Sequence, residues 1–522
     1  MTKPLEPRTL KGIAQDQLLN GVAARVCEHS PGLKRLANRY VINSAIDTMP
    51  PRPYRLSTMD EYTSWDSLTD RSYSVRELDA VPAEPPTRPP EADVVELFRR
   101  SRFRESEKST VLFAYVAQWF TDGFLRSPRF DKDGKEIIKD RDVTRNDSTH
   151  QVDLAQVYGL TADATTGLRR GRWLACQEID GQQYPPALFS ADGERLFPEL
   201  RMIGDRHERA DPREFLAMGS DASNSQIGFA MLNTLYLRAH NTIADEIAAH
   251  EPGLSDERVF RVTRNVLIVL TIKLVMQEYI NHITPWRFQI EFDRKGFDRV
   301  RWHRQNWAAV EFNLLYRWHC LIPPTLHVHG QALDPSATIF RTRSLLTGGN
   351  GLGELLDEAS GQRAGAIELF NTGEWLLGHG EAPTIAAART ARVGTYNQYR
   401  VHCGFKPVKR FEDLSSDANV VAALRDRYRS MDELEFYPGL YAEDRPRNSV
   451  VGPLMGRMVA VHAFSQLLTN PLLAPAIYDN DDTFTPTGRG IIRDTRSIQE
   501  VVDMIGLKGH AARLTHADWS PQ

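Results

Sequence analysis

Apolar residues recur at intervals of three and four along seven stretches of the chain, with polar residues between them. The stretches span residues 93–104, 109–126, 226–249, 256–284, 306–319, 366–389 and 450–468. This spacing places apolar side chains on one face of an α-helix, and no long alternating apolar and polar stretch competes with it. The pattern predicts a mainly α-helical protein with very little β-structure.

The first hundred residues have a different pattern. Residues 1–50 contain an amphipathic helical region, Leu18 to Ile46, interrupted at Ser30-Pro-Gly32. Residues 51–96 carry repeated prolines, which remove amide donors and disfavour helix, so they predict an extended connector on the surface. We therefore divide the chain into an N-terminal helical segment (1–50), a proline-rich wrapping connector (51–96) and a catalytic domain (97–522). Its polar tail from Arg513 should be loose.

Composition and charge exclude several classes of protein. The 522 residues have a net charge of −4 and no basic stripe, so we expect no nucleic-acid partner. The longest apolar run, Val266 to Met276, is interrupted by Thr271 and Lys273, which predicts a buried helix and not a membrane span. The four cysteines have no metal-ligand spacing, and the N-terminus lacks the features of a secretory signal, so we expect a cytoplasmic protein.

The stretch Glu311-Phe-Asn-Leu-Leu-Tyr-Arg-Trp-His319 contains the most informative chemistry. If it is helical, Tyr316 and His319 share one face. Neutral imidazole is a common ligand of haem iron, and a tyrosine one helical turn away can lose an electron and a proton to an oxidised haem. An amphipathic core helix with a hydrogen-bonded histidine explains the same spacing, and on spacing alone it is the better interpretation.

Flanking stretches change that balance, and together with residues 311–319 they resemble the animal-type haem peroxidases in the cyclooxygenase (prostaglandin H synthase) or fatty acid dioxygenase branch. They are Phe113-Ala-Tyr-Val-Ala-Gln-Trp-Phe-Thr121, Val152-Asp-Leu-Ala-Gln-Val-Tyr-Gly159, Leu237-Arg-Ala-His-Asn241, Gln277-Glu-Tyr279 and Leu434-Glu-Phe-Tyr-Pro-Gly-Leu440. The resemblance runs from about residue 54 to residue 475. It implies the helical haem peroxidase fold, His319 as the axial ligand of haem iron and Tyr316 as the residue that carries the catalytic radical.

The resemblance fails at one catalytic position. The family places a glutamine and, four residues later, a histidine over the open face of the haem, and that histidine moves the proton that O–O cleavage requires. This chain has Gln118 and then Asp122. Two interpretations remain open. Asp122 is either a substitute acid–base group or the relic of a lost peroxidase activity.

Two further departures concern the cofactors. Some relatives attach haem through carboxylate esters, but Ser225 stands at the expected glutamate position, so the resemblance implies noncovalent haem b. A calcium loop of some relatives is half represented, by Thr149 and Asp153. Calcium needs six or more oxygen ligands, so we do not expect calcium here.

The resemblance also implies an apolar substrate channel beside Tyr316. Its wall would contain Ile280, Ile283, Thr284, Trp286, Leu315, Trp318 and Ala463, although the same residues read equally well as ordinary core. The arginine that binds the substrate carboxylate in cyclooxygenases aligns near Ser44. Arg35, Arg39 or Arg287 could supply that charge instead.

The leading hypothesis is haem-dependent oxygenation of an unsaturated fatty acid or similar apolar substrate through a Tyr316 radical, with O₂ or peroxide as co-substrate. The alternatives are a peroxide-dependent oxidase or peroxygenase that uses Asp122 as its acid–base group, and a non-catalytic haem protein. The basic N-terminal segment allows peripheral contact with a membrane surface. The resemblance leaves a homodimer as one option for assembly.

Overall fold

The computed structural model describes residues 19–47, 72–82, 87–131, 134–137, 142–204, 210–297, 300, 302–303 and 307–521. Helices dominate this part of the chain, and the predicted fold class is confirmed. Buried apolar side chains from Leu19 to Leu514 form one connected core. The N-terminal helices therefore share a core with the catalytic domain, and the three-part division of the chain stays a prediction.

Fourteen of the described helices have seven residues or more. They are Val22–Glu28, Pro31–Ile46, Val111–Asp122, Ala162–Leu168, Ile227–His250, Asp256–Leu274, Leu352–Gly361, Ala382–Thr390, Tyr396–His402, Ala418–Arg427, Phe436–Ala442, Pro453–Leu468, Pro486–Asp494 and Ile498–Met504. Shorter helices are Glu91–Val95, Ala155–Tyr158, Ile280–Ile283, Val310–Leu315, Thr342–Thr347, Glu374–Leu376, Phe411–Leu414, Pro475–Tyr478 and Asp481–Phe484. Single 3₁₀ turns are Pro212–Glu214, His319–Leu321, Pro335–Thr338 and Pro471–Leu473.

The described β-structure consists of four antiparallel pairs of short strands. Glu105–Thr110 pairs with Arg363–Gly365, Arg169–Arg170 with Trp173–Leu174, Gln177–Ile179 with Gln182–Tyr184, and Leu326–Val328 with Gln331–Leu333. The first pair joins distant parts of the chain and leads directly into the helix Val111–Asp122, which we call the Gln118 helix.

Three helices form the centre of the molecule. The Gln118 helix packs against Ile227–His250, which also packs against Asp256–Leu274. The Gln118 helix begins where the Thr110 side chain accepts a hydrogen bond from the backbone N–H of Phe113. The helix Asp256–Leu274 begins in the same way at Ser255 and carries two acidic residues in its first turn, which favour the positive end of the helix dipole.

The predicted helices are right in existence and partly wrong in extent. Residues 226–249, 256–284 and 450–468 are helical almost throughout, as predicted. By contrast, the helix predicted at 93–104 covers only Glu91–Val95, and the one predicted at 366–389 begins at Glu374. The predicted loose tail is also wrong, because Thr515 pairs with Ser109 and the Thr110 hydroxyl donates to the Arg513 carbonyl.

Two of the helical stretches contain one turn of π-helix. The first is Val275–Tyr279, between Asp256–Leu274 and Ile280–Ile283, and the second is Leu377–Glu381, before Ala382–Thr390. A π-turn inserts one extra residue and rotates the side chains that follow, and such turns occur often at functional sites. Within the described ranges, no helix is both long and apolar enough to cross a bilayer.

Candidate active site

Tyr316 and His319 do not share a helical face, which corrects the sequence-based prediction. The helix ends at Leu315, Tyr316 is its C-terminal cap, and His319 starts a separate 3₁₀ turn. The carbonyl of Arg317 accepts a hydrogen bond from the hydroxyl of Tyr441 at 2.6 Å, and the hydroxyl oxygen of Tyr437 lies 3.1 Å from it. A tertiary hydrogen bond to this carbonyl replaces the helical ladder, so the partners of this turn position both side chains.

Aromatic side chains enclose Tyr316. Its ring centroid lies 4.7 Å from that of Trp318 and 5.2 Å from that of Phe312. The hydroxyl of Tyr279 lies close enough to influence the pKa of Tyr316, but outside ordinary hydrogen-bond geometry. Burial raises the pKa of Tyr316, so the phenol keeps its proton at neutral pH, yet the side chain retains part of its accessible surface.

His319 lies against a buried carboxylate. Its Nδ1 is 3.2 Å from Oε1 of Glu381, although the N–H direction is not that of a hydrogen bond in this rotamer. Glu381 is fully buried and accepts hydrogen bonds from the Thr372 hydroxyl at 2.8 Å and the Tyr437 hydroxyl at 2.6 Å. With Nδ1 turned to Glu381, the other ring nitrogen is left for a ligand.

The second π-turn brings this carboxylate to the histidine. Glu381 is the last residue of Leu377–Glu381. The preceding residue, Gly380, lies so close to His319 that a Cβ at this position would meet ring atom Cε1 at 2.9 Å. The π-turn and the glycine therefore let the backbone approach the imidazole closely while Glu381 points towards Nδ1.

Gln118 differs in exposure from the rest of its helix. All other residues of the Gln118 helix are buried, whereas Gln118 is exposed. Its Oε1 accepts a hydrogen bond from Nε2 of Gln226 at 3.0 Å. An exposed polar side chain on an otherwise buried helix is accessible to a ligand.

Asp122, one turn after Gln118, is held in a buried ion network. Its carboxylate contacts Arg126 at 2.9 Å and also Arg129, and it accepts a hydrogen bond from the Ser220 hydroxyl at 3.0 Å. Asp221 contacts the same two arginines at 2.8 and 2.7 Å. Burial acts to raise the pKa of Asp122, but Arg129 and Arg126 outweigh burial and hold the pKa below its ordinary value. The group is therefore a stable carboxylate.

The seven predicted channel residues fall into three groups. Ile280, Ile283, Leu315 and Ala463 are each at most 3% exposed and pack against protein atoms. Thr284 and Trp286 line a cavity of about 980 Å³ that none of these four reaches. The seventh residue, Trp318, is buried against Tyr316. Of the seven predicted residues, Thr284 and Trp286 therefore share a cavity, and the other five do not line it.

Comparison with known proteins identifies the family. A profile described as animal haem peroxidase matches residues 122–502. The chain belongs to the animal haem peroxidase family. It is 30% identical to prostaglandin G/H synthase 1 of Rattus norvegicus over 465 residues, which are 87% of this chain and 74% of that protein.

Solved structures show the same fold. The first is a fatty acid alpha-dioxygenase of Oryza sativa, solved with palmitic acid. It is 17% identical, with a TM-score of 0.70 and 94% coverage of both chains. The second is peroxidase A of Dictyostelium discoideum, which is 19% identical with a TM-score of 0.68 and covers 85% of this chain and 95% of its own. Their likeness at this identity shows the fold alone.

Family membership makes the protein a haem-binding oxidoreductase, and the described residues fit the cofactor. The ring nitrogen of His319 that does not face Glu381 is compatible with an iron ligand, and the close backbone of Gly380 lies against the same imidazole ring. The buried Nε1 of Trp318 and the buried hydroxyl of Tyr279 have no hydrogen-bond partner among the described residues. Buried polar atoms normally have a partner, and a bound group can supply one.

Sequence reasoning missed the residues that support these side chains. Glu381, Gly380 and Thr372 lie in a stretch that the periodicity assigned to one regular helix. The pattern Gly378-His-Gly380 inside that helix was the available signal, because glycine weakens a helix and often marks a close backbone approach. Asp221 had no signal, because only the folded chain brings it to Arg126.

No group of three or more potential metal-ligating side chains occurs among the described residues. Thr149 and Asp153, the half-represented calcium loop, are joined to each other, since the Thr149 hydroxyl donates to the Asp153 carboxylate at 2.8 Å. The expectation of no calcium stays a prediction.

Proposed function

We propose that the protein oxygenates an unsaturated long-chain fatty acid, or a similar apolar molecule, with Tyr316 as the radical residue. The observation that carries the proposal is the position of Tyr316, which lies three residues before the candidate iron ligand His319 and whose ring packs against those of Phe312 and Trp318. The named relatives support the substrate class, because they are prostaglandin synthases and a fatty acid alpha-dioxygenase.

His319 would hold noncovalent haem b, and Glu381 would orient the imidazole through Nδ1. When bound, haem supplies the one-electron oxidation of Tyr316, with a peroxide as oxidant. Ser225 supports noncovalent attachment, because a hydroxyl cannot form the ester that a carboxylate forms. Its oxygen is buried without a hydrogen-bond partner among the described residues.

The chemistry at Tyr316 is a hydrogen transfer. The Tyr316 oxygen radical takes one hydrogen atom from a C–H bond of the substrate, which leaves a carbon radical. O₂ adds to that carbon, and the resulting peroxyl radical takes the hydrogen atom back from the Tyr316 hydroxyl. The product is a hydroperoxide, and the tyrosyl radical is restored for the next cycle. The neighbouring rings of Phe312 and Trp318 favour this sequence because they limit the access of water and reductants to the radical.

We assign Asp122 a structural role, which favours the relic interpretation. A general acid–base group must gain and lose a proton near the working pH. The two arginines beside Asp122 stabilise its charged form and oppose protonation. Ordinary peroxidase activity should therefore be weak, and the alternative oxidase or peroxygenase that relies on Asp122 has less support. Replacement of Asp122 by histidine would leave Arg126 and Arg129 with one carboxylate fewer.

We also propose that the N-terminal helices contact a membrane surface. Leu33, Leu36 and Tyr40 share one face of the helix Pro31–Ile46 and are 47, 63 and 42% exposed. Val22 and Val26 extend this apolar surface on the preceding helix. Large exposed apolar side chains at helical spacing favour an interface with lipid.

Flotation with anionic vesicles tests this contact. The wild type should float with the vesicles, and a Leu33→Glu, Leu36→Glu variant should not.

The function itself is tested by isotope labelling. Haem-reconstituted protein and linoleic acid are incubated with ¹⁸O₂ and a trace of peroxide, and the products are analysed by mass spectrometry. The proposal predicts a fatty acid hydroperoxide with two ¹⁸O atoms and no product without O₂. A parallel incubation contains ¹⁸O-labelled peroxide and no O₂. A product of that incubation that carries one ¹⁸O atom would contradict the proposal and favour the peroxygenase alternative. Haem binding without any lipid product would favour the non-catalytic alternative.

A further inference from the structure

The cavity of about 980 Å³ contains a buried lysine that has no acidic partner in the described ranges. Lys108 is 6% exposed and lines the cavity together with Thr284, Trp286 and the C-terminal tail. Its ammonium donates to the carbonyls of Asn448 at 3.1 Å and Thr284 at 3.4 Å. Among the described residues, no carboxylate lies within ion-pair distance of it.

A buried cation normally has an anionic partner, because the transfer of a charge out of water is costly. Two neutral carbonyls compensate Lys108 only partly, and burial lowers its pKa to about 8. At neutral pH most of the side chains are therefore still charged, and in the part of the chain that the structure describes the ammonium has two hydrogen-bond acceptors for its three N–H groups. Such an ammonium can bind an anion.

The position of Lys108 follows from elements that the sequence separates widely. The strand Glu105–Thr110 supplies the lysine, and the ring of Trp519 from the tail lies over its ammonium at 4.6 Å. His282 fixes this wall, since its two ring nitrogens contact the hydroxyls of Ser109 at 2.9 Å and Thr515 at 2.7 Å. The site is thus built by three packed segments and not by a mobile surface side chain.

We propose that Lys108 binds the carboxylate of the long-chain substrate, a role that rests on the function proposed above. The cavity volume lies in the range of ligand sites. Of the arginines considered from the sequence, Arg39 is committed to an ion pair with Asp293 at 2.7 Å, and Arg287 lies at the exposed side of the cavity. Lys108 is the buried cation of that cavity among its described lining residues.

This placement also sets where the chain is oxidised. The ring of Phe113 lies 4.4 Å from that of His282, on the cavity wall, and 6.0 Å from that of Trp318, which contacts Tyr316. A layer of rings therefore separates Lys108 from Tyr316, and the hydrocarbon passes it only when side chains such as Phe113 shift. A substrate held by Lys108 presents to Tyr316 a carbon well along its chain, and not the carbon next to the carboxylate.

The test measures binding, without turnover. Equilibrium binding of linoleate and of methyl linoleate to haem-loaded protein is measured by calorimetry under anaerobic, peroxide-free conditions. In the wild type, linoleate should bind more tightly than the ester. Lys108→Met should weaken linoleate binding by about tenfold to a hundredfold, as expected for a hydrogen bond to a charged group, and should leave ester binding unchanged. Lys108→Arg should retain most of the preference for the acid.

The matched control is Arg513→Met, which removes an exposed cation from the same cavity and should have little effect. Circular dichroism of each variant checks that it is folded. Equal binding of acid and ester by the wild type, or unchanged linoleate binding by a folded Lys108→Met variant, would overturn the proposal. Binding that depends on Lys108 without any oxygenation would refute the proposed function alone. A product oxygenated next to the carboxylate would refute the inferred orientation.

Discussion

The two sides of the candidate haem site each contain a buried carboxylate, and their neighbours differ. Asp122 lies between Arg126 and Arg129, so its charge is neutralised within an ion network. Glu381 accepts hydrogen bonds from two neutral hydroxyls, and its one ion-pair partner among the described residues is His319. The same chemical group is therefore held by two arginines in one place and lies beside the candidate ligand His319 in the other. The surroundings, and not the residue type, decide the role.

The largest effect should follow from removing one arginine from the ion network around Asp122. Arg126→Met should lower the free energy of unfolding by about 3–5 kcal/mol, because it leaves two buried carboxylates short of a partner. Urea titration of the haem-free protein measures this change. Arg99→Met is the control, since Arg99 makes a comparable contact with Glu96 on the surface, and it should change stability little. Similar losses in both variants would contradict the structural role of the network.

A substitution on the Glu381 side of the candidate haem site should change the haem affinity and not the free energy of unfolding. Glu381→Gln keeps the volume but replaces the carboxylate beside His319, and it should weaken haem binding by about tenfold to a hundredfold. Haem titration followed by the Soret band measures the affinity, and the reduction potential gives a second readout. Glu374→Gln, which changes an exposed carboxylate on the preceding helix, serves as control. Unchanged affinity and potential in Glu381→Gln would show that Glu381 does not act on the ligand.

Acid should reduce the contribution of the ion network around Asp122 and Asp221 to the free energy of unfolding. Burial acts to raise the pKa of Asp221, but Arg129 and Arg126 lower it to about 2, against an ordinary value of 3.8. A carboxylate whose pKa is lower in the folded state stabilises the fold above pH 4 and loses that contribution as the pH falls towards 2. The difference in unfolding free energy between wild type and Asp221→Asn should shrink by on the order of 2 kcal/mol over that interval. A difference independent of pH would exclude this ion network as its source.

A smaller effect should distinguish two neighbouring glycines of one π-turn. Gly380→Ala places a methyl group 2.9 Å from the His319 ring, whereas a Cβ at Gly378 meets nothing within 4 Å. The first variant should weaken haem binding by about fivefold, the lower end of the usual overpacking cost, because the ring can tilt. Gly378→Ala should bind haem as the wild type does. Equal behaviour of the two variants would show that Gly380 does not position His319.

The sequence named Tyr316, His319 and Gln118 as candidates because each lies in a short stretch that resembles the family, and their roles stay predictions. Their arrangement could not be predicted, because the turn at Arg317 depends on hydroxyls of Tyr437 and Tyr441 that are distant in the chain. In the sequence, Lys108 is one polar residue among others in a polar strand. Its burial depends on the packing of a distant residue, Trp519, over its ammonium.

The central claim is tested most directly by Tyr316→Phe, which preserves most of the packing and removes the only O–H of the side chain. Wild type and variant are reconstituted with haem and compared by Soret spectrum, by electron paramagnetic resonance after peroxide addition, and by O₂ uptake with linoleic acid. The account predicts unchanged haem binding, loss of the Tyr316 radical signal and loss of O₂ uptake. A variant that binds haem and consumes O₂ at the wild-type rate would contradict it.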